Sequence, residues 1–432
     1  MTDSAAPAII YNLFPPLAGS VDHWIEHARR AAGMGFNWLF LNPIHLPGAS
    51  GSLYSVRDYF RFNPLLFPAE HFPAQKAAFV KFVADCRELG LEVMADLVVN
   101  HTAYDNPLTR EHRDWYVRHP DGAIKSPGAR DDSAPGGYVT WGDLSEIDNL
   151  GSPDREHLWA YWERATALLL SCGVRGFRCD AAYQAPTVLW RRLIDFARTE
   201  DPDVRFFAET LGCPMESTLE LGKLFDYVFN SGKWWNYRDD WYLEQANALA
   251  AAGARTVGFA ESHDTRRLAD EWNGDRDRAA QHYLFTALAS AGALAPIGFE
   301  YGFRKRLHVV GTRPRDWEGA GYDLTDFIRE VNALKRAHRA LAVEGKFERF
   351  DAGDVLLLIK TTPDGKDSAL LAFNRSDAPL TADWAELSAR AGLPPLVAAT
   401  GSAADGARAP ERLRLARYGA VVLRLHRPEL AR

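Results

Sequence analysis

Short apolar runs alternate with longer amphipathic stretches from residue 8 to about residue 341. The runs at 9–13, 38–41, 92–99, 205–210, 225–230, 256–262 and 293–298 have the length and composition of buried strands, as does a shorter one that stops at Asp180. Between them apolar residues return at helical spacing over 21–34, 73–89, 154–172 and 188–199, and a last such stretch covers 325–341. Strand–helix units in this series predict an α/β fold, a closed (β/α)8 TIM barrel whose function gathers at the C-terminal strand ends. An open doubly wound sheet is the alternative, but no glycine-rich phosphate turn follows the first strand.

Three regions depart from the rhythm. Residues 42 to about 67 read as a long loop. Residues 102–152, rich in Pro, Gly and Asp, read as a short inserted subdomain after the third strand. From residue 342 the pattern turns to short alternating runs at 346–350, 355–360, 369–374 and 419–425, which predicts a C-terminal antiparallel β-sandwich. The expected domains are 1–101 with 153–341 as barrel, 102–152 as insert and 342–432 as sandwich.

Composition narrows the partners. A net charge of −7 without any basic run speaks against nucleic acid. No apolar run approaches a membrane span, and residues 1–7 lack the basic start and apolar core of a secretory leader. Cys86, Cys172, Cys179 and Cys213 are scattered without metal spacing, as free thiols in a reducing compartment would be, so a cytoplasmic location is expected. Oligomeric state is left open.

The candidate chemistry sits where the strands stop. In Gly176-Phe177-Arg178-Cys179-Asp180, alternation puts Arg178 and Asp180 on one face, where the guanidinium keeps the carboxylate ionised and oriented. Asn100-His101 close the third strand, Glu209 the fifth and His263-Asp264 the seventh, while Asp96 lies deep in the third and reads as barrel support. A metal centre is the rival reading, but no closely spaced His pair lies on any strand. Two carboxylates acting as nucleophile and acid fit retaining glycoside chemistry, in which they lie roughly 5 Å apart.

These segments resemble the signature regions of glycoside hydrolase family 13, the α-amylase family. Asp96-Leu97-Val98-Val99-Asn100-His101 is similar to the first region, and Gly176-Phe177-Arg178-Cys179-Asp180-Ala181 to the second. Phe207-Ala208-Glu209 is similar to the third and Ala260-Glu261-Ser262-His263-Asp264 to the fourth, with weaker likenesses at 35–43, 141–144 and 298–300. The resemblance implies that Asp180 is the nucleophile and Glu209 the acid/base, with Asp264 gripping ring hydroxyls. It implies that Arg178 orients Asp180, that His101 and His263 bind sugar hydroxyls, and that Tyr54 stacks with Asp58 in support. No metal ligand and no required cofactor are expected, although Asn100 matches a calcium ligand of amylases, so calcium is possible.

The run Asp180-Ala181-Ala182-Tyr183-Gln184 departs from the Lys-His that many members carry after the nucleophile, which implies a different acceptor side with Tyr183 available to stack. Within the family the chain is most similar to the core of maltosyltransferases that use maltose 1-phosphate, through His119-Pro120-Asp121-Gly122 and the stretch 201–209. The expected function is a retaining α-glycosidase acting on malto-oligosaccharides or glucans. The alternatives are a maltosyl- or glucanotransferase, a disaccharide isomerase, and a non-catalytic glucan-binding protein. Trp234, Trp235, Tyr237, Trp241 and Tyr242 follow the sixth strand, divided between core packing and a sugar platform.

Overall fold

The computed structural model describes residues 6–130, 135–391, 397–400 and 411–426. Residues 1–5, within the stretch that reads as leaderless, and parts of the expected sandwich at 392–396, 401–410 and 427–432 lie outside the described residues. Eight strands close into a barrel in chain order: β1 (Ile9–Leu13), β2 (Trp38–Leu41), β3 (Glu92–Leu97), β4 (Gly176–Cys179), β5 (Arg205–Ala208), β6 (Tyr227–Phe229), β7 (Thr256–Phe259) and β8 (Gly292–Pro296). Nearly every strand residue is buried, as parallel strands covered on both faces require. Several strands stop short of the apolar runs that predict them. β3 ends at Leu97 rather than 99 and β7 at Phe259 rather than 262.

Contacts group the chain into two units, one of residues 10–229 with 305–318 and one of 1–9 with 230–304 and 319–432. In the first, α1 (Val21–Gly33) buries Val21, Trp24, Ala28 and Ala31, a three-to-four spacing that makes one apolar face. α2 (Phe72–Glu88), α3 (Arg155–Leu170) and α4 (Thr187–Glu200) follow, and α4 buries Leu189, Trp190, Leu193, Ile194 and Ala197 on the same principle. The interior of this part of the barrel is floored by rings. Trp38 lies 5.6 Å from Phe207, and Phe207 stacks on Tyr227 at 5.0 Å. A Cβ on Gly176 would meet the Trp38 indole at 2.6 Å, so glycine is what lets β4 pass over that floor.

The expected loop at 42–67 contains a hairpin, His45–Pro47 against Val56–Phe62. Its strands escape a sequence reading because the register is broken by bulges and the pairing is settled by packing of Tyr59 and Phe62. In the expected insert, His101–Ala103 pairs with Leu144–Glu146 and Gly128–Arg130 with Tyr138–Thr140.

In the second unit, α5 (Trp241–Ala251) precedes β7, and α6 (Arg276–Ala289) is buried on every side from Ala279 onward. A helix buried all round has to be covered all round, and its polar Gln281, His282 and Thr286 each find a hydrogen-bond partner. α6 meets β7, β8 and α7 (Thr325–Ala337), and it reaches the C-terminal sheet through Gln281, whose amide donates to the Asn374 carbonyl at 2.7 Å. The expected last helix ends at Ala337, and a short turn, Arg339–Ala342, follows. Lys335, fully buried, donates to the carbonyls of Ala287, Ser290 and Leu341 and so closes the C-terminal end of α6. The C-terminal sheet takes the order β9 (Lys346–Ala352), β10 (Val355–Thr361), β11 (Ser368–Asn374), Ala420–His426 and Val397–Thr400, antiparallel throughout. A second pair, Leu380–Asp383 with Arg412–Leu415, and a helix, Trp384–Ala391, pack over a core that includes Leu357, Leu370, Leu387 and Leu413. The helix is an addition to the all-β expectation.

Two buried histidines make stability depend on pH. Burial lowers the pKa of His45 to about 4 and that of His282 to about 3. His282 is held neutral, its Nε2–H on the Lys233 carbonyl and its Nδ1 accepting from the Tyr237 hydroxyl, both at 2.9 Å. The unfolded chain protonates these rings near pH 6.5 while the folded chain does not, so their stabilisation is complete above that pH and is lost as pH falls toward the folded values. Each should cost about 1 kcal/mol between pH 6 and pH 5. Urea midpoints are expected to drop over that interval, less so in His282→Gln, and a flat profile would contradict the assignment.

Candidate active site

β4 and its neighbours place one guanidinium among three carboxylates. Arg178 stands in register with Asp96 on β3 and Phe207 on β5. Its Nη1 donates to both oxygens of Asp96 at 3.0 Å and to Asp180 Oδ1 at 2.6 Å, and its Nη2 lies 3.8 Å from Glu209 Oε2. The Arg178 side chain is 4% exposed and that of Asp96 0%, whereas Asp180 and Glu209 keep 13% and 11%. Burial alone pulls the guanidinium pKa down; the charges of Asp96, Asp180 and Glu209 more than reverse this, and it stays well above its usual range. The two less buried carboxylates face outward from the clamp.

Glu209, one residue beyond β5, is fixed from both ends. Oε2 accepts from the Ala181 N–H at 2.8 Å and Oε1 from the Leu211 N–H at 2.7 Å. Ala181 adopts φ 39° and ψ 50°, a left-handed conformation that costs a non-glycine residue about 1–2 kcal/mol and turns its N–H toward Glu209. Tyr183 sits half-buried in the same turn, where burial and the Glu209 charge push its phenol pKa up.

Two asparagines that the sequence did not single out extend the network. Asn12 Nδ2 donates to Asn42 Oδ1 at 2.9 Å, Asn42 Nδ2 to the Tyr54 hydroxyl at 2.9 Å, and Tyr54 in turn to Asp96 Oδ2 at 2.7 Å. Their only sequence signal is a polar residue at the end of, or inside, an otherwise apolar strand. The Tyr54 ring lies 5.7 Å from the Arg178 guanidinium carbon, so Tyr54 both stacks on the clamp and bonds to it.

His101 is buried, its Nε2 against the Tyr54 carbonyl at 3.2 Å and its Nδ1 without a hydrogen-bond partner. Burial lowers its pKa although the Asp180 charge opposes this, leaving a neutral ring. Asn100 Nδ2 donates to Gln184 Oε1, and Gln184 ties the turn after β4 to Gly128 of the insert. For calcium, Asn100 Oδ1 is an orphaned buried oxygen, but one amide oxygen falls far short of the roughly six to eight that calcium takes. Among the described residues no three His, Cys, Asp or Glu gather as metal ligands. Asp58 lies on the hairpin, where Oδ1 accepts from the Phe60 N–H at 2.8 Å, a local role.

In the other unit, the chain leaves β7 at Phe259, four residues before His263. His263 Nε2 meets Asp264 Oδ2 at 2.9 Å; the histidine is 4% exposed and the aspartate 47%. Glu261 turns inward instead, accepting from Arg267 Nη1 at 2.7 Å and the Leu268 N–H at 2.6 Å. Burial raises the Glu261 pKa, and Arg267 opposes the rise. The aromatics after β6 divide as well: Trp235 and Tyr242 are core, while Trp234 is 51% and Trp241 38% exposed.

The barrel and the sequence both have counterparts among known proteins. Residues 8–119 match a family model described as glycogen debranching enzyme, glucanotransferase domain. An α-1,4-glucan:maltose-1-phosphate maltosyltransferase of Burkholderia pseudomallei is 28% identical over 411 residues, 91% of this chain and 35% of the relative. The α-amylase MalA of Haloarcula japonica is 25% identical over 377 residues, 81% of this chain and 51% of its own. The chain thus spans about a third to a half of the length of these relatives. Among solved structures, an α-amylase of Geobacillus thermoleovorans has TM-score 0.75 at 17% identity, covering 98% of both chains. A maltogenic α-amylase, AmyB, of Thermotoga neapolitana has TM-score 0.72 at 20% identity, covering 97% and 99%. The fold is the (β/α)8 barrel of the α-amylases, and the chain resembles the α-amylase family with a core like that of the maltosyltransferases.

Removing Asp96 tests the clamp. Asp96→Ala leaves a buried guanidinium short of its most deeply buried carboxylate partner and should cost about 3 kcal/mol or more in urea unfolding. Wild-type stability in that variant would mean that Arg178 does not depend on Asp96.

Proposed function

We propose that this chain is a retaining α-glycosidase acting on α-glucosidic bonds of malto-oligosaccharides or glucans. The observation that carries the reading is the shared guanidinium: Arg178 lies 2.6 Å from Asp180 and 3.8 Å from Glu209, so two partly exposed carboxylates flank one fixed cation. Asp180, aimed by Arg178, attacks the anomeric carbon and forms a glycosyl ester. Glu209 gives its proton to the departing glycosidic oxygen, then takes one from the incoming hydroxyl, which breaks the ester and regenerates Asp180. His101, neutral, binds a sugar hydroxyl, with Tyr54 stacking beside it and Asp58 in support. Asp264 and His263 bind sugar hydroxyls.

Transfer to a sugar in place of water is the second reading, because maltosyltransferases stand among the relatives. Tyr183, beside Glu209, would line the acceptor side. The cysteines, all free, fit a cytoplasmic home, and among the described residues no helix is long and apolar enough to cross a membrane.

Proton NMR of maltoheptaose with the protein separates the readings. New reducing ends that appear first as the α anomer indicate a retaining hydrolase; redistribution of chain length without new ends indicates a transferase. Asp180→Ala should lower turnover on the order of 10⁴-fold or more while glucan still binds, and substantial residual turnover would place the nucleophile elsewhere. Tyr183→Ala is expected to change the ratio of transfer to hydrolysis more than donor cleavage, and equal effects on both would remove it from the acceptor side.

A further inference from the structure

A cavity of about 540 Å³ opens in the unit of residues 230–304 and 319–432, walled by the segment after β6, the segment after β7, the start of α6 and the C-terminal sheet. It shares no residue with the Arg178 cluster or with His263 and Asp264. Its volume falls within the range of about 300–1,000 Å³ typical of small-molecule sites.

The charge of its lining runs against the composition of the chain. Acidic residues outnumber basic ones by 57 to 50 over the whole sequence, yet the cavity presents Lys233, Arg238, Arg278 and Arg375 against a single carboxylate, Glu271. That carboxylate is already committed, both oxygens lying 3.2 Å from Lys233 Nζ.

Arg278 is held in an unusual way. Its guanidinium carbon lies 4.6 Å from the centre of the Trp272 ring and 5.4 Å from that of Tyr418, and among the described residues no carboxylate pairs with it. Stacking fixes the plane of a guanidinium but leaves its N–H donors available, which suits bidentate recognition of a phosphate. Arg375 forms the back wall. It is 8% exposed and bonded to Asp351 and the Tyr237 carbonyl, while its buried Nε has no hydrogen-bond partner. Trp234, 51% exposed on the rim, offers a bare indole of the kind on which a sugar ring stacks.

We propose that this cavity is a binding site for a phosphorylated sugar, the phosphate on Arg278 with Arg238 and the sugar face on Trp234. The inference stands apart from the activity proposed for Asp180 and Glu209, and its test reads binding alone.

Calorimetric titration of the whole chain with glucose 6-phosphate, inorganic phosphate and maltose distinguishes the possibilities. Glucose 6-phosphate is expected to bind one-to-one and more tightly than either of the others. Arg278→Gln should weaken it roughly tenfold, and Trp234→Ala should weaken it while leaving inorganic phosphate unaffected. Should Arg278→Gln fail to fold, Arg238→Gln, at an exposed position, tests the same charge. Equal affinity for inorganic phosphate would overturn the sugar half of the proposal, and tighter binding of maltose would overturn the phosphate half. Glucose 6-phosphate binding that none of these substitutions alters, or no binding at all, would overturn it entirely.

Discussion

A buried guanidinium governs its surroundings more strictly than any apolar side chain. Taking Arg178 out of water costs several kcal/mol unless its donors are met, and the structure meets them with Asp96 and Asp180 at hydrogen-bond distance and Glu209 close by. The requirement works in both directions. The carboxylates need the cation as much as it needs them, so each fixes the rotamer of the others. Asp96, wholly buried, anchors the pair from below, and its second tie to Tyr54 carries the order outward through Asn42 to Asn12 on β1. What results is a rigid polar column inside an apolar barrel, with its two outermost carboxylates left partly exposed.

The scaffold answers to that column. A layer of rings, Trp38, Phe207 and Tyr227, fills the barrel under it, and Gly176 gives the indole its room. Above it, the chain leaves β4 through a left-handed alanine whose N–H reaches Glu209. A strained residue at this point is intelligible because the hydrogen bond it makes orients the second carboxylate. The insert is tied in by Gln184, which joins the turn after β4 to Gly128 and Asn100.

The other unit treats polar groups differently. Glu261 and Arg267 pair in the core, Lys335 caps a helix with three carbonyls, and His282 stays neutral between a tyrosine and a carbonyl. These groups are satisfied among themselves. Arg278 contrasts with them, being held by rings with no carboxylate paired to its side chain among the described residues, and Trp234 keeps half its surface in solvent.

Hydrophobic periodicity was enough to read the barrel, because eight buried parallel strands and their helices leave a repeated apolar pattern that little else produces. Asp180, Glu209, Arg178 and His101 stood out as candidates for a related reason: each is a polar side chain where an apolar run stops. The hairpin at 45–62 was not legible, since bulges erase its alternation, nor were Asn12 and Asn42, single polar residues whose meaning is a side-chain partner 12 or 30 positions away. Local pattern cannot tell Trp234 from Trp235 either; only packing decides that one ring is core and its neighbour is surface. Pattern along a chain records which face must be buried, whereas hydrogen bonds and charge pairs join residues far apart in it. The architecture therefore lay in the order of the amino acids, and the geometry of the clamp came only with the tertiary fold.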